Sequence, residues 1–394
     1  MWGLDKLFSV RSRFWVLVSF VMMSGFSQGM LLPLLAIILE QDGVSSSVNG
    51  LHATGLYIGV LIASPFMEKP LQRFGYKPII LTGGFLMFIA LSLFPVYHSI
   101  IFWFVLRLLI GIGDQMVNFS AQTWITSTTP ANRRGRTIAL YGLFFSLGFA
   151  FGPLMSRFLE IHESLPFIIA ASLCLLVWIL VWFIRNEFVA DSDEIDKVQT
   201  TSTVQRFVTT TKLAWIALLG PLTYGILEAL LHGIFPIYGL RIGHDVDMIS
   251  LIIPFFSLST LFTQVPLGVL GDRIGRQKLL AIVTGIGAVI FLVGAQFEQS
   301  VIVLIGTFAF SGMLLGSLFS MGVSYMADIV PRQLLPAGNI MCGVSFSLGS
   351  IAGPNLGGLF IDIFPNLSFF YMIVIILTVL SSLFFIKRKP VMNK

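Results

Sequence analysis

Three ionisable side chains stand inside long apolar runs, away from any loop: Arg107, Asp114 and Glu228. A charge in hydrocarbon is expensive, so residues of this kind at that depth are rare and serve protons, ions or polar cargo. Burial disfavours the ionised form of a carboxyl. Asp114 or Glu228 could therefore hold a proton in one state and release it in another. Around Asp114, the residues Arg107, Gly111, Asp114/Gln115, Asn118 and Gln122 recur every three or four positions, which draws one polar stripe along a helix. Tyr224, Glu228 and His232 are four apart and share a helical face.

On this pattern the proton-coupling candidates are Glu228, Asp114 and Arg107. Glu228 leads, because the only cation at helical spacing from it is His232, which a buried site can keep neutral. Asp114 has Arg107 two turns back on its own stripe. That pair either holds Asp114 ionised or is a purely structural contact. The candidates for a polar cavity are Gln28, Gln115, Asn118, Gln122, Tyr224 and His232; Gln28 stands between Gly25 and Gly29. The bland alternatives are a hydrogen-bonded helix contact for Glu228 and a satisfied structural residue for His232.

These residues need elements to hold them, and the elements are membrane spans. The 394 residues are 56% hydrophobic and only 11% charged, with a mean hydropathy of +0.91. A soluble chain of this length cannot hide that much apolar surface. A spanning helix needs about 20 apolar residues. Apolar runs separated by polar breaks predict twelve spans, at 14–39, 47–68, 78–97, 100–128, 136–157, 165–185, 213–238, 248–270, 279–297, 300–327, 337–361 and 367–386. The first run has no small-residue cleavage site after a short core and is expected to stay as an anchor.

Lys and Arg gather at the N-terminus, in alternate loops and in the tail, whereas the other loops carry only Arg157 and Arg241 beside acids such as Glu40, Asp42, Asp245 and Asp247. The positive-inside rule then puts both termini in the cytoplasm, which an even number of spans allows. The expected organisation is an amphipathic surface segment at 1–13, a six-helix bundle at 14–185, a polar cytoplasmic linker at 186–212, a second bundle at 213–387 and a tail at 388–394. The net charge of +5 is scattered over loops, so no nucleic-acid partner is expected. Cys174 and Cys342 both lie in apolar runs and no metal-ligand spacing exists, so neither a disulfide nor a metal is expected. No nucleophile–base constellation supports an enzyme, and no extra domain supports a receptor.

The two halves repeat. Phe145-Ser-Leu-Gly-Phe-Ala-Phe-Gly-Pro153 matches Phe346-Ser-Leu-Gly-Ser-Ile-Ala-Gly-Pro354 at an offset of 201, and Gly111 corresponds to Gly312 in the same register. A basic glycine turn, Gly268-Val-Leu-Gly-Asp272-Arg273-Ile-Gly275-Arg276, has a worn copy 200 residues earlier in Arg73-Phe-Gly75-Tyr-Lys77. A phosphate loop would need a strand before it and a soluble helix after it. Both flanks are apolar, so the turn joins two membrane helices.

These residues resemble the major facilitator superfamily, and in particular its twelve-helix drug:proton antiporter branch. Gly268, Asp272, Arg273, Gly275 and Arg276 match the superfamily's signature turn, while the first copy keeps Arg73, Gly75 and Lys77 but has Gln72 for the aspartate. Arg107-x-x-x-Gly111-x-Gly113 is similar to the branch's helix 4 motif. Gly148-x-x-x-Gly152-Pro153 is similar to the glycine–proline motif of exporters, except that Ser156-Arg157 replaces its closing glycine pair. The complete version, Gly349-x-x-x-Gly353-Pro354-x-x-Gly357-Gly358, sits in helix 11.

The resemblance implies an all-α integral membrane protein with twelve transmembrane helices in two pseudo-symmetric six-helix bundles around a central cavity, lined by helices 1, 4, 7 and 10. It implies proton-coupled efflux of amphiphilic or cationic small molecules by alternating access, with the turns acting as gating latches, the first weaker for want of its aspartate. A transporter of a defined solute, such as a sugar, a metabolite or a lipid headgroup, is the alternative, and a receptor or enzyme a remote one. The expected partners are the small-molecule substrate, protons and the lipid bilayer. The chain is expected to be monomeric in a bacterial plasma membrane, with no cofactor beyond the proton gradient.

Overall fold

The structure is a computed structural model and describes residues 10–129, 131–188, 203–331 and 334–386. The expected surface segment at 1–13, most of the 186–212 linker and the 388–394 tail lie largely or wholly outside these residues. Ten helices among them are long and apolar enough to cross a membrane. The two remaining expected spans are the shorter apolar helix Phe369–Phe384 and an interrupted one near Ser46. The twelve are α1 (Val10–Gln41), α2 (Ser46–Ala53 continuing as Gly55–Ala63), α3 (Tyr76–Leu93), α4 (Ile100–Thr128), α5 (Ala131–Phe151), α6 (Leu165–Trp182), α7 (Thr203–Ala229), α8 (Val246–Ile274), α9 (Arg276–Gln296), α10 (Val301–Leu315 and Leu318–Ile329), α11 (Leu335–Ile363) and α12 (Phe369–Phe384).

Several ends differ from the hydropathy reading, each for a local reason. The second span breaks at Thr54, tightens into a 3-10 turn at Ser64–Phe66 around Pro65, and resumes as Glu68–Phe74. After Phe151, Pro153 removes a backbone donor and the chain winds as a 3-10 helix over Gly152–Glu160. α7 starts at Thr203 rather than 213, because its first turns carry polar residues that hydropathy alone assigns to a loop. Its other end runs through a π-helical turn, Leu230–Ile234, into Phe235–Arg241.

By internal contacts the chain divides into two compact units: Met1–Leu35 with Thr54–Asp191, and Ala36–Ala53 with Ser192–Lys394. The two share one packing plan. In the first, α4 packs against α2 and α3, and α3 against α6; in the second, α10 packs against α8 and α9, and α9 against α12. A Cβ on Gly148 of α5 would fall 1.9 Å from the Met22 carbonyl oxygen of α1, and one on Gly349 of α11 would fall 2.2 Å from that of Leu222 of α7. Gly111 meets the Leu56 carbonyl and Gly312 that of Phe256 in the same way, at 2.0 and 2.1 Å. Small residues let helix backbones touch where lipid gives no hydrophobic drive for association.

The described residues with positive φ are four glycines, Gly43, Gly75, Gly243 and Gly275. They form two pairs 200 positions apart, at the start and end of the second span of each half. Glycine takes this conformation at little steric cost, so the duplication fixes not only helices but the turns between them. Large apolar side chains such as Ile101, Phe262, Val265 and Ile302 are exposed. Such a surface requires lipid around it.

Candidate functional site

In the first unit Asp114 is the hub of a polar cluster drawn from three helices. The side chain is only 4% exposed. Ser24 of α1 donates its hydroxyl to Asp114 Oδ1, Gln28 Nε2 donates to Oδ2 at 2.7 Å, and Asn118 Nδ2 donates to Oδ1 at 3.0 Å. Asn118 also reaches Ser24 Oγ at 2.6 Å, and the Tyr141 hydroxyl of α5 donates to Asn118 Oδ1 at 2.9 Å. Helical spacing explains the convergence: Ser24 and Gln28 are one turn apart on α1, as Asp114 and Asn118 are on α4. The polar stripe continues less completely than expected, since Gln115 is half-buried and Gln122 exposed.

Arg107 lies on the same stripe but does not pair with Asp114. Its Nη2 donates to the Leu31 carbonyl oxygen of α1 at 2.7 Å, and the residue is 1% exposed. Among the described residues, Nε and Nη1 have no hydrogen-bond partner. The expected pairing is thus corrected: two turns advance about 11 Å along the axis, and a nearer carbonyl takes the guanidinium. Among the described residues, no ion pair reaches Asp114 or Glu228.

Glu228 occupies the second unit and is 7% exposed. Tyr224 donates its hydroxyl to the carboxyl from one turn earlier, and its ring stacks on Phe346 of α11 with centroids 6.0 Å apart. Phe319 of α10 meets Phe346 edge-on at 5.7 Å. Tyr224 therefore links the acidic group to a run of aromatic rings on α11 and α10. His232, in the π-helical turn, is fully buried. Its Nδ1 lies 2.9 Å from the Glu228 main-chain oxygen, and its Nε2 3.4 Å from Ser257 Oγ of α8. The ring thus joins the widened turn to α8, and π-helical turns of this kind occur frequently at functional sites. Ser24, Tyr141, Phe319 and Phe346 had no place among the expected site residues. Only Ser24 carried a signal, its one-turn spacing from Gln28.

The glycine turns fold alike but are clipped differently. In the second, Arg276 bonds Asp272 Oδ1 and Asp328 Oδ2, each at 2.7 Å, and donates to the Ser324 carbonyl oxygen at 2.7 Å. These contacts tie the ends of α8 and α10 to the start of α9. Arg273 is exposed. A Cβ on Gly268 would meet nothing within 4 Å, and this glycine borders a cleft of about 240 Å³ beside Asp272, Arg276 and Ser324.

In the first turn the position of Arg276 is taken by Tyr76. Its ring stacks on Trp124 of α4 with centroids 5.3 Å apart and an interplanar angle of 9°. Trp124 Nε1 donates to Glu187 Oε2 at 2.7 Å, and the other Glu187 oxygen pairs with Arg13 of α1. The Arg13 guanidinium lies 5.3 Å from the Trp124 ring centroid. Lys77 Nζ donates to the Trp182 carbonyl oxygen at 2.8 Å, and Arg73 sits over the Phe74 ring at 5.2 Å. The turn that lost its aspartate is held by an aromatic stack and a carboxylate from the end of the bundle.

The packing plan, the duplicated turns and two buried carboxyls in membrane spans define a two-unit membrane transporter. The Major Facilitator Superfamily matches residues 17–245 and again 217–394, and the chain belongs to it. It is a transporter and not an enzyme. The chain is 45% identical over 368 residues to "Uncharacterized MFS-type transporter YfkF" of Bacillus subtilis (strain 168), covering 93% of each chain. It is 25% identical to "Multidrug resistance protein 1" of the same organism, over 88% of this chain and 89% of that one. Among solved structures, a nucleoside transporter NupG superposes with a TM-score of 0.78 at 12% identity, over 94% of this chain and 98% of that one. A D-xylose-proton symporter gives 0.73 at 15% identity, over 97% and 98%. These two likenesses establish the fold.

Proposed function

We propose that the protein exports lipophilic cations in exchange for protons by alternating access, with Glu228 as the proton-carrying carboxyl. One observation carries the reading: two carboxyls are buried in membrane spans and, among the described residues, neither has an ion-pair partner. An anion kept at that depth calls for something that brings positive charge, a proton or a cationic cargo. Glu228 has a hydroxyl partner in Tyr224, so it can exchange a proton without dismantling a network. The rings that continue from its partner Tyr224 to Phe346 and Phe319 suit a flat or quaternary cation through charge and stacking. The likeness to a protein named for multidrug resistance supports the same direction of transport.

Asp114 would serve as the second acidic group, its network rearranging as the units rock. Positively charged loops and both termini would lie on the cytoplasmic side of the bacterial plasma membrane. A defined polar solute is the second reading, favoured by the Ser24, Gln28, Asn118 and Tyr141 cluster, which could hydrogen-bond hydroxyls. Everted vesicles distinguish the two. With a preformed acid-inside gradient, a lipophilic cation should dissipate the gradient only when the protein is present. Dissipation by neutral polyols and not by cations would replace the first reading with the second.

A further inference from the structure

Cation export through Glu228 and Asp114 makes no use of Arg107. A guanidinium stays protonated in proteins, and this one is 1% exposed within α4. Its Nη2 donates to the Leu31 carbonyl oxygen of α1, whereas Nε and Nη1 have no hydrogen-bond partner among the described residues. No carboxylate among those residues pairs with it. A carbonyl dipole does not cancel a full charge, and a buried charge without a counter-charge is costly. The unused donors call for an acceptor that carries negative charge.

The neighbouring backbone favours the same kind of ligand. α2 is interrupted at Thr54, and its second piece runs nine residues from Gly55 to Ala63. The first turn of that piece lies against the arginine. A Cβ on Gly55 would fall 3.3 Å from Arg107 Cβ, and Tyr57 interacts electrostatically with the guanidinium. A helix N-terminus carries partial positive charge and binds anions through its N–H groups. Two positive features side by side repel each other unless an anion lies between them.

The duplication supplies an internal control. In the second half Phe308 stands in the register of Arg107, and Pro254 in that of Thr54. Phe308 is fully buried and packs on Phe235 with ring centroids 4.6 Å apart. Despite Pro254, α8 runs unbroken from Val246 to Ile274. The buried cation and the interrupted helix thus occur together in one half and are both absent from the other. Packing of the bundle alone requires neither.

We propose that Arg107 and the first turn of Gly55–Ala63 bind a halide ion, chloride in the cell, between α1, α2 and α4. The site is closed to solvent and its helices touch, since a Cβ on Gly59 would fall 2.3 Å from the Leu108 carbonyl oxygen. That enclosure suits a monoatomic ion and rejects a carboxylate or phosphate. The ion balances Arg107 where it stands and serves as a fixed counter-ion of the first unit.

Tracer binding to the purified protein tests the site. Radioactive chloride is titrated in gluconate buffer at constant ionic strength, without cargo and without a pH gradient. The wild-type chain should bind about one ion, displaced by bromide, and its melting temperature should rise along the same curve. At ten times the half-saturating concentration the rise should be about 2 °C. Arg107→Met should lose both the binding and the chloride-specific shift. Arg107→Lys keeps the charge but not the fork of donors, and should bind about tenfold more weakly. Crystals of the wild-type chain grown in bromide locate the ion whether or not the variants fold, with an anomalous peak expected against Arg107 Nε or Nη1. No saturable binding by the wild type overturns the site, and buried water then satisfies the guanidinium. Full binding in Arg107→Met, or a bromide peak only elsewhere, overturns it equally. The result stands apart from the cation-export reading, because neither transport nor Glu228 enters the measurement.

Discussion

Replacing Asp114 by leucine should break the first unit's polar cluster, whereas asparagine should largely preserve it. The carboxylate accepts from Ser24, from Gln28 at 2.7 Å and from Asn118 at 3.0 Å. Leucine strands the first two donors; Asn118 keeps the Asp114 main-chain oxygen at 3.1 Å. At roughly 1–3 kcal/mol per buried unsatisfied group, Asp114→Leu should cost about 2–6 kcal/mol. Asparagine offers one oxygen to Ser24 and Asn118 and turns its amide toward Gln28. Gln28 can then flip its own amide and accept, so Asp114→Asn should lose about 1 kcal/mol, the charge-assisted part of the bonds. Gln28→Leu removes that rescue, and the pair should show a coupling energy of about 1 kcal/mol in a double-mutant cycle. Thermal unfolding in detergent reads the wild type and all four variants. Equal damage from Asn and Leu, or strict additivity with Gln28→Leu, would refute the assignment of these partners.

Gly148→Ala and Gly349→Ala should each destabilise by about 1–3 kcal/mol, the usual cost of overpacking, because each Cβ lands on a carbonyl oxygen of the facing helix; unchanged melting in either variant would contradict the close approach. Asp272→Asn removes a partner that is 60% exposed, so it should leave folding within about 1 kcal/mol yet slow transport while substrate still binds, as rate and binding measurements on the same preparation would show. Trp124→Phe should loosen the first turn by about 1 kcal/mol through loss of the Glu187 bond, and Glu187→Gln should add little to it in the same melt.

The spans were legible because lipid demands them: about 20 apolar residues leave no choice of element. The duplication was equally plain, and its offset extended to details that hydropathy does not see, such as the paired glycines Gly43/Gly243 and Gly75/Gly275. Helical spacing correctly put Asp114 with Asn118, and Tyr224 with Glu228, because neighbours one turn apart are a local property. It failed at Arg107, whose partner is the Leu31 carbonyl oxygen on another helix. The π-helical turn at His232 was invisible for a related reason, since nothing in Leu-Leu-His-Gly-Ile marks the extra residue. Glu187 looked like the start of a polar linker, and only packing shows that it holds Trp124 and Arg13. The docking of residues 36–53 beside α11 is likewise a tertiary fact, although the surplus glycine Gly358 was its trace in the sequence.

Proton exchange at Glu228 is tested most directly in proteoliposomes that contain the protein, a lipophilic cation and an interior pH dye. With the wild-type chain, cation flux should follow an imposed pH gradient and move protons the opposite way. With Glu228→Gln, the cation should still equilibrate down its own gradient, but the dye signal on cation addition should vanish and the imposed gradient should no longer drive flux. Full proton-driven exchange in Glu228→Gln would contradict the assignment.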